Sequence, residues 1–229
     1  PQWSPDGTRI AFTGPGEHPP PKLFVKNLAG PGSASQVGIS TALNFAAGWS
    51  GDGRAIVTAR IGPTTLNDLW VHRLEGAVDE RLSFNTRLTE SHGRVSPDNR
   101  WIPYDSDASG KTEVWVASFP SGEIRRQVSA GGGISAEWSQ GSTEIVYVSD
   151  DRQLMAARVS AAPTGIEVGT PRALFRIEGL AEVDALGFPT SNSYLAASNG
   201  ERFLVAVRAR DPNAPPISIA VNWRTLLDR

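Results

Sequence analysis

The apolar residues of this chain fall in short runs without sustained helical spacing. Arg9-Ile10-Ala11-Phe12, Ala55-Ile56-Val57-Thr58, Trp101-Ile102-Pro103-Tyr104, Glu144-Ile145-Val146-Tyr147-Val148 and Arg202-Phe203-Leu204-Val205-Ala206 are rich in β-branched and aromatic side chains, as strands require. Each follows a cluster of turn residues, and the clusters are copies of one pattern. They read Trp3-Ser4-Pro5-Asp6-Gly7, Trp49-Ser50-Gly51-Asp52-Gly53, Val95-Ser96-Pro97-Asp98-Asn99, Trp138-Ser139-Gln140-Gly141 and a worn Ala196-Ala197-Ser198-Asn199-Gly200. In the fullest copies proline presets φ, aspartate bonds backbone N–H groups two residues on, and glycine accepts positive φ. Asn99 replaces the turn glycine, which asparagine tolerates. The fourth and fifth copies lack the Pro-Asp pair, and the fifth lacks the tryptophan.

A third strand follows at a steady offset, centred on Phe24, Trp70, Trp115 and Met155. Arg87-Leu88-Thr89 and Arg126-Gln127-Val128-Ser129 suggest a fourth. The motifs start at residues 3, 49, 95, 138 and 196, so every spacing but the last lies in the forties. Four short antiparallel strands at that period make a β-propeller blade. The expected fold is all-β, one domain over 1–229 with five recognisable four-stranded blades at about 1–43, 44–90, 91–131, 132–180 and 181–229. Two stretches break the rhythm: a Pro-rich loop at 14–21, and an insertion at 160–193 that holds an outer strand at Pro171-Arg172-Ala173-Leu174-Phe175 and then an irregular loop. Trp3, Trp49 and Trp138 recur at equivalent positions and are expected to be buried between blades. Because Pro1 already lies inside a repeat, the chain reads as part of a larger propeller. An open ring with unpaired edges beside the first and last blades is expected, more prone to self-association than a chain extended upstream.

Composition narrows the partners. The charged fraction is 20% and the apolar fraction 39%, ordinary for a globular protein. A net charge of −2 without a basic block gives no footing for nucleic acid, and no apolar run is long enough to span a bilayer. The absence of cysteine excludes disulfides, a thiolate nucleophile and every Cys-containing zinc site; it suits the periplasm and the cytosol equally.

Candidate chemistry is sparse. Asp6, Asp52 and Asp98 repeat at blade spacing, which places them in equivalent turns as local caps. Asp105-Ser106-Asp107-Ala108-Ser109-Gly110 has the oxygen spacing of a calcium loop, so Asp105, Asp107 and Ser109 are a weak calcium candidate; Val116 stands where a distal bidentate Glu would fall. His18, His72 and His92 form no zinc motif and read as surface or packing residues. Gly48-Trp49-Ser50-Gly51-Asp52 misses the nucleophile elbow at its last position. Gly131-Gly132-Gly133 lies between strands and lacks the helix that a phosphate cradle needs. No cofactor is expected.

The copies resemble the WD-repeat-like propellers of the TolB-like family. The likeness sharpens from Val95-Ser96-Pro97-Asp98-Asn99-Arg100-Trp101 through Ser106-Asp107-Ala108-Ser109-Gly110, Glu113-Val114-Trp115-Val116, Trp138-Ser139 and Leu174-Phe175 to Asn222-Trp223. This succession also looks like the C-terminal propeller of bacterial membrane serine/threonine protein kinases. The resemblance implies a sensing or protein-binding propeller outside any catalytic domain, and no kinase motif is present here.

The expected function is therefore non-catalytic. The propeller binds a protein or peptide at its central opening or loop-bearing face, as the interaction module of a larger bacterial envelope protein, periplasmic or otherwise extracytoplasmic. The alternative is the substrate-gating propeller of a prolyl-oligopeptidase-like serine peptidase, whose α/β-hydrolase domain usually follows the propeller; here the chain stops at Arg229. A propeller lyase or sugar hydrolase would need convergent histidine, tyrosine and carboxylate groups, and Tyr104, Tyr147 and Tyr194 suggest no such set.

Overall fold

The computed structural model describes residues 1–15, 20–38, 44–61, 67–76, 78–82, 88–163, 165–180, 194–197, 199–207 and 217–220, with 78 and 217–220 as backbone alone. His18, Ser198 and Trp223 lie outside the described residues. All regular structure among the described residues is strand.

Five antiparallel sheets follow one another along the chain. The first runs β1 (Gln2–Trp3), β2 (Arg9–Gly14), β3 (Lys22–Asn27), β4 (Ser35–Val37). The second runs β5 (Asn44–Trp49), β6 (Ala55–Arg60), β7 (Asp68–Arg73), β8 (Val78–Arg81), and the third β9 (Glu90–Ser91), β10 (Trp101–Ser106), β11 (Glu113–Ser118), β12 (Arg125–Gln127). The fourth holds β13 (Ile134–Ser139), β14 (Glu144–Val148), β15 (Gln153–Ala162), β16 (Gly165–Val168) and β17 (Arg172–Arg176). The last has β18 (Tyr194–Ala196), β19 (Phe203–Ala206) and β20 (Ile217–Ala220) among the described residues. Every blade pairs neighbours in chain order, and each inner strand packs on the blade before it: β5 on β1–β3, β9 on β7, β13 on β10 and β11, β18 on β13. This is the β-propeller that the repeat predicts.

The repeated turn works as its residues dictate. In copies one to three the serine hydroxyl donates to its aspartate (Ser4–Asp6 2.5 Å, Ser50–Asp52 2.6 Å, Ser96–Asp98 2.5 Å). The carboxylate accepts the N–H two residues on, from Thr8, Arg54 and Arg100. The same serine oxygen accepts the N–H of Arg9, Ala55 or Trp101 and so ties the turn to the next strand. The Ser4 hydroxyl and then the Thr8 N–H hold Asp6 down to about 2. Asn99 has φ +60°, matching Gly7, Gly53 and Gly200 at +67° to +69°. The worn fifth copy keeps the same backbone turn, Ala197 N to Arg202 O and Gly200 N to Ala197 O, with Asn199 in the aspartate's place.

Neighbouring turns also touch. Arg9 Nη2 donates to Gly53 O, Gly51 N to Asn99 Oδ1, and Asp98 N to Ser142 Oγ. A Cβ at Gly51 would lie 2.2 Å from the Pro97 carbonyl oxygen, which is backbone and cannot swing away. Gly51→Ala is therefore expected to cost about 1–3 kcal/mol, read as a lowered urea midpoint at unchanged slope; an unshifted midpoint would show that the turns are not packed together.

Three expectations need correction. Trp49 and Trp138 are buried, but Trp3 is 62% exposed. Blade position alone does not bury this side chain; the preceding blade does, and Trp3 belongs to the first blade in chain order. Ahead of the expected Arg87-Leu88-Thr89, of which Leu88 and Thr89 lie outside any strand and residue 87 is outside the described residues, the outer strand of the second blade is Val78–Arg81. Its polar sequence pairs with β7 through Arg73–Glu80, Asp68–Arg81 and His72–Asp79, so cross-strand charge matching replaces apolar pattern. In the insertion, the expected outer strand is β17, but β15 runs ten residues and pairs with β16 as a projecting hairpin; 181–193 lie outside the described residues.

Candidate functional site

Gln2, Gly48, Arg94, Glu137 and Leu195 hold one place in their blades, immediately before the motif start. Arg94 Nη1 donates to Gln2 Oε1 at 2.8 Å, so the third blade reaches the first past the second. Non-adjacent blades meet in this way where inner strands converge on the axis, which puts the row at the central opening. Gly48 lets the side chain pass: a Cβ there would lie 3.2 Å from both Arg94 Cδ and Nη1. On its other flank Arg94 Nε faces Glu137 Oε1 at 3.1 Å, off the hydrogen-bond axis. The tryptophans anchor the same row, with Trp49 Nε1 donating to Gln2 O and Trp138 Nε1 to Arg94 O, each at 3.0 Å.

Beside the row the inner strands bulge. His92 and Ser135 stand three residues before their motif starts and adopt φ of +54° and +59°, rare for residues with a Cβ. The β13 register shifts between Ile134 and Glu137, and the β5 register at the matching place, between Ala46 and Gly48. Bulges re-aim side chains. Here His92 Nδ1 comes 2.7 Å from Asp105 Oδ2, which also accepts Ser135 N at 2.9 Å. Facing an acceptor-only carboxylate, Nδ1 carries the proton. Asp105 Oδ1 is buried and accepts no hydrogen bond from the protein.

Burial pushes the Glu137 carboxyl up, against the pull of Arg94 and His92. Burial, and then the Glu137 and Asp105 charges, raise Tyr194 well above the ordinary phenol range. Its Oη lies 2.8 Å from both Ser135 O and Val146 O and offers its one proton between them. The row thus carries the Arg94–Glu137 ion pair, with the His92–Asp105 contact beside it.

The calcium candidates each have other partners: Asp105 Oδ2 meets His92 and Ser135, Asp107 Oδ1 accepts Thr89 N at 2.9 Å, and Ser109 Oγ donates to Lys111 O. No group of three or more His, Asp or Glu among the described residues is placed to hold one metal ion. The Gly131 and Gly132 N–H groups do cradle an anion, but it is the Glu113 carboxylate, at 2.9 Å from each.

His72 sits in a chain with the distances of a nucleophile–base–acid set. Thr58 Oγ1 is 2.8 Å from His72 Nε2, and His72 Nδ1 is 2.8 Å from Asp79 Oδ1. Arg60 bridges Asp79 and Asn44 and lies 3.7 Å over the Trp70 ring. Thr58 and His72 are buried at 0% and 1% exposure, and burial lowers the His72 pKa against the pull of Asp79. No substrate reaches that hydroxyl; the chain ties three strands of the second blade together.

In the sequence His92 reads as a surface or packing residue, and nothing local singles out Gln2, Arg94 or Glu137. Aligning the copies would have found the row, because one column between apolar neighbours carries Gln, Gly, Arg and Glu.

Residues 1–168 match the TolB beta propeller domain. The chain belongs to the TolB β-propeller family. Among solved structures, a protein assigned as TolB from Agrobacterium tumefaciens superposes with a TM-score of 0.59 at 23% identity, over 76% of this chain and 63% of that one. TolB from Acinetobacter baumannii gives 0.58 at 18% identity, over 75% and 44%. A prolyl endopeptidase gives 0.52 at 12% identity, over 90% of this chain and 31% of that one, a likeness of fold alone. The chain spans about half the length of the curated relative it matches, an uncharacterized protein of Agrobacterium fabrum, 25% identical over 157 residues.

Proposed function

We propose that this TolB-like propeller is a non-catalytic binding module that takes a protein or peptide segment at its central opening. The observation that carries this reading is the row Gln2–Arg94–Glu137 with His92–Asp105 beside it. Polar and charged side chains of three blades converge there, Gln2 from the first, Arg94 from the third and Glu137 from the fourth. Among the described residues the Thr58–His72–Asp79 chain is buried in a blade interior, which speaks against catalysis by it. Family membership supports a place in the envelope of a bacterium, as part of a larger protein such as a periplasmic TolB-like protein or a membrane serine/threonine kinase. No helix among the described residues is long and apolar enough to cross a membrane.

The test is site-specific photocrosslinking in the full-length protein in its own bacterium. Leu195, 51% exposed and in the channel column, carries the probe; Leu28, 41% exposed beside the first blade's third strand, is the control. A discrete polypeptide adduct from position 195, absent from position 28 and found in the extracytoplasmic fraction, is expected. Equal adducts at both positions, or none at 195, would sink the reading.

A further inference from the structure

A second surface lies away from the channel row and shares no residue with it. The β15–β16 hairpin leans over the third blade: Ile166 is buried with Ile124 packed into the same cluster, and Gly165 leaves just the space that Ile124 fills, its absent Cβ falling 2.7 Å from the Ile124 side chain. Between this arm, β12 and the turn of the fourth blade runs a groove of about 800 Å³. Its walls are β12, which pairs with β11, and β16, which pairs with β15 and lies close against β12.

The charges select the occupant. Glu144 at the base is already ion-paired with Arg172 at 2.6 Å and accepts a hydrogen bond from Gln140. Arg126 and Arg158 line the groove, both exposed, and neither has a carboxylate partner among the described residues; Arg126 Nη1 reaches only the carbonyl of Arg125. Glu167 is the one lining carboxylate left without an ion pair there. We propose that this groove is a docking site for an extended acidic peptide segment of a partner protein, laid along the arm with its carboxylates on Arg126 and Arg158.

The probe is a fluorescein-labelled extended peptide alternating glutamate with valine, compared with its lysine counterpart by fluorescence anisotropy. The acidic peptide is expected to bind and the basic one not. Affinity should fall about tenfold or more in Arg126→Glu/Arg158→Glu, because two attractions become two like-charge repulsions, and should weaken as ionic strength rises from about 0.05 to about 0.5 M. Glu167→Lys is expected to tighten binding, and Glu137→Gln in the channel to leave it unchanged. The three side chains changed at the groove, Arg126, Arg158 and Glu167, are exposed, and melting curves confirm that each variant is folded. No binding of the acidic peptide, equal binding of both peptides, or wild-type affinity in the folded double variant would each overturn the proposal. Loss through Glu137→Gln alone would assign the peptide to the channel instead and equally overturn it.

Discussion

Trp49→Ala and Trp138→Ala are each expected to remove about 3–5 kcal/mol of folding stability, whereas Trp3→Ala stays within about 0.5 kcal/mol of wild type. The three residues begin the same motif, so sequence alone ranks them equally. Trp49 is 6% exposed, lies under the Arg9 guanidinium at 4.8 Å and donates to Gln2 O. Trp138 is 9% exposed, packs among Trp101, Val114 and Ile145, and donates to Arg94 O. Truncation leaves a cavity between blades and orphans a buried carbonyl. Trp3 is 62% exposed and loses neither. Urea unfolding of the three variants checks the order; a Trp3 loss equal to that of Trp49 would mean that a face open here is covered in solution.

What the sequence made legible is what repeats. The Ser-x-Asp turn, the strand after it and the third strand recur at fixed offsets, and each is a local consequence of residue type. Gly131-Gly132-Gly133 reads as a segment between strands and Asp105-Ser106-Asp107 as the start of a weak calcium loop, and neither reading names the partners. Glu113, His92, Ser135 and Thr89 come from other strands, and neither spacing nor propensity states which strand lies opposite. The β8 strand was missed for the opposite reason. Asp79, Glu80 and Arg81 carry no apolar alternation, and they are held in the sheet by charges on β7. The channel row was hidden because its logic runs across copies. Arg94 makes sense once Gly48, a whole blade earlier, is seen to leave room for it.

That row makes the second large prediction. Arg94→Met should cost about 3–5 kcal/mol at neutral pH, because it strands a buried Glu137 carboxylate. Burial already lifts the Glu137 pKa above its ordinary 4.5, with Arg94 opposing the rise; without the guanidinium it rises further. A group whose folded pKa is raised contributes stability that is fully present below the unfolded pKa and lost as pH climbs through the folded one. The deficit of Arg94→Met should thus be smaller in mildly acidic solution, where Glu137 takes up a proton, and reach its full size toward neutrality. Arg94→Met/Glu137→Met should recover much of the loss, since a buried ion pair replaced by apolar side chains of similar volume is often close to neutral. Denaturant unfolding of the four members of this cycle, at mildly acidic and at neutral pH, gives the coupling directly. Additive losses, or a deficit that does not grow with pH, would show that Arg94 and Glu137 act independently and that the inner strands are held by the Trp49 and Trp138 indoles alone.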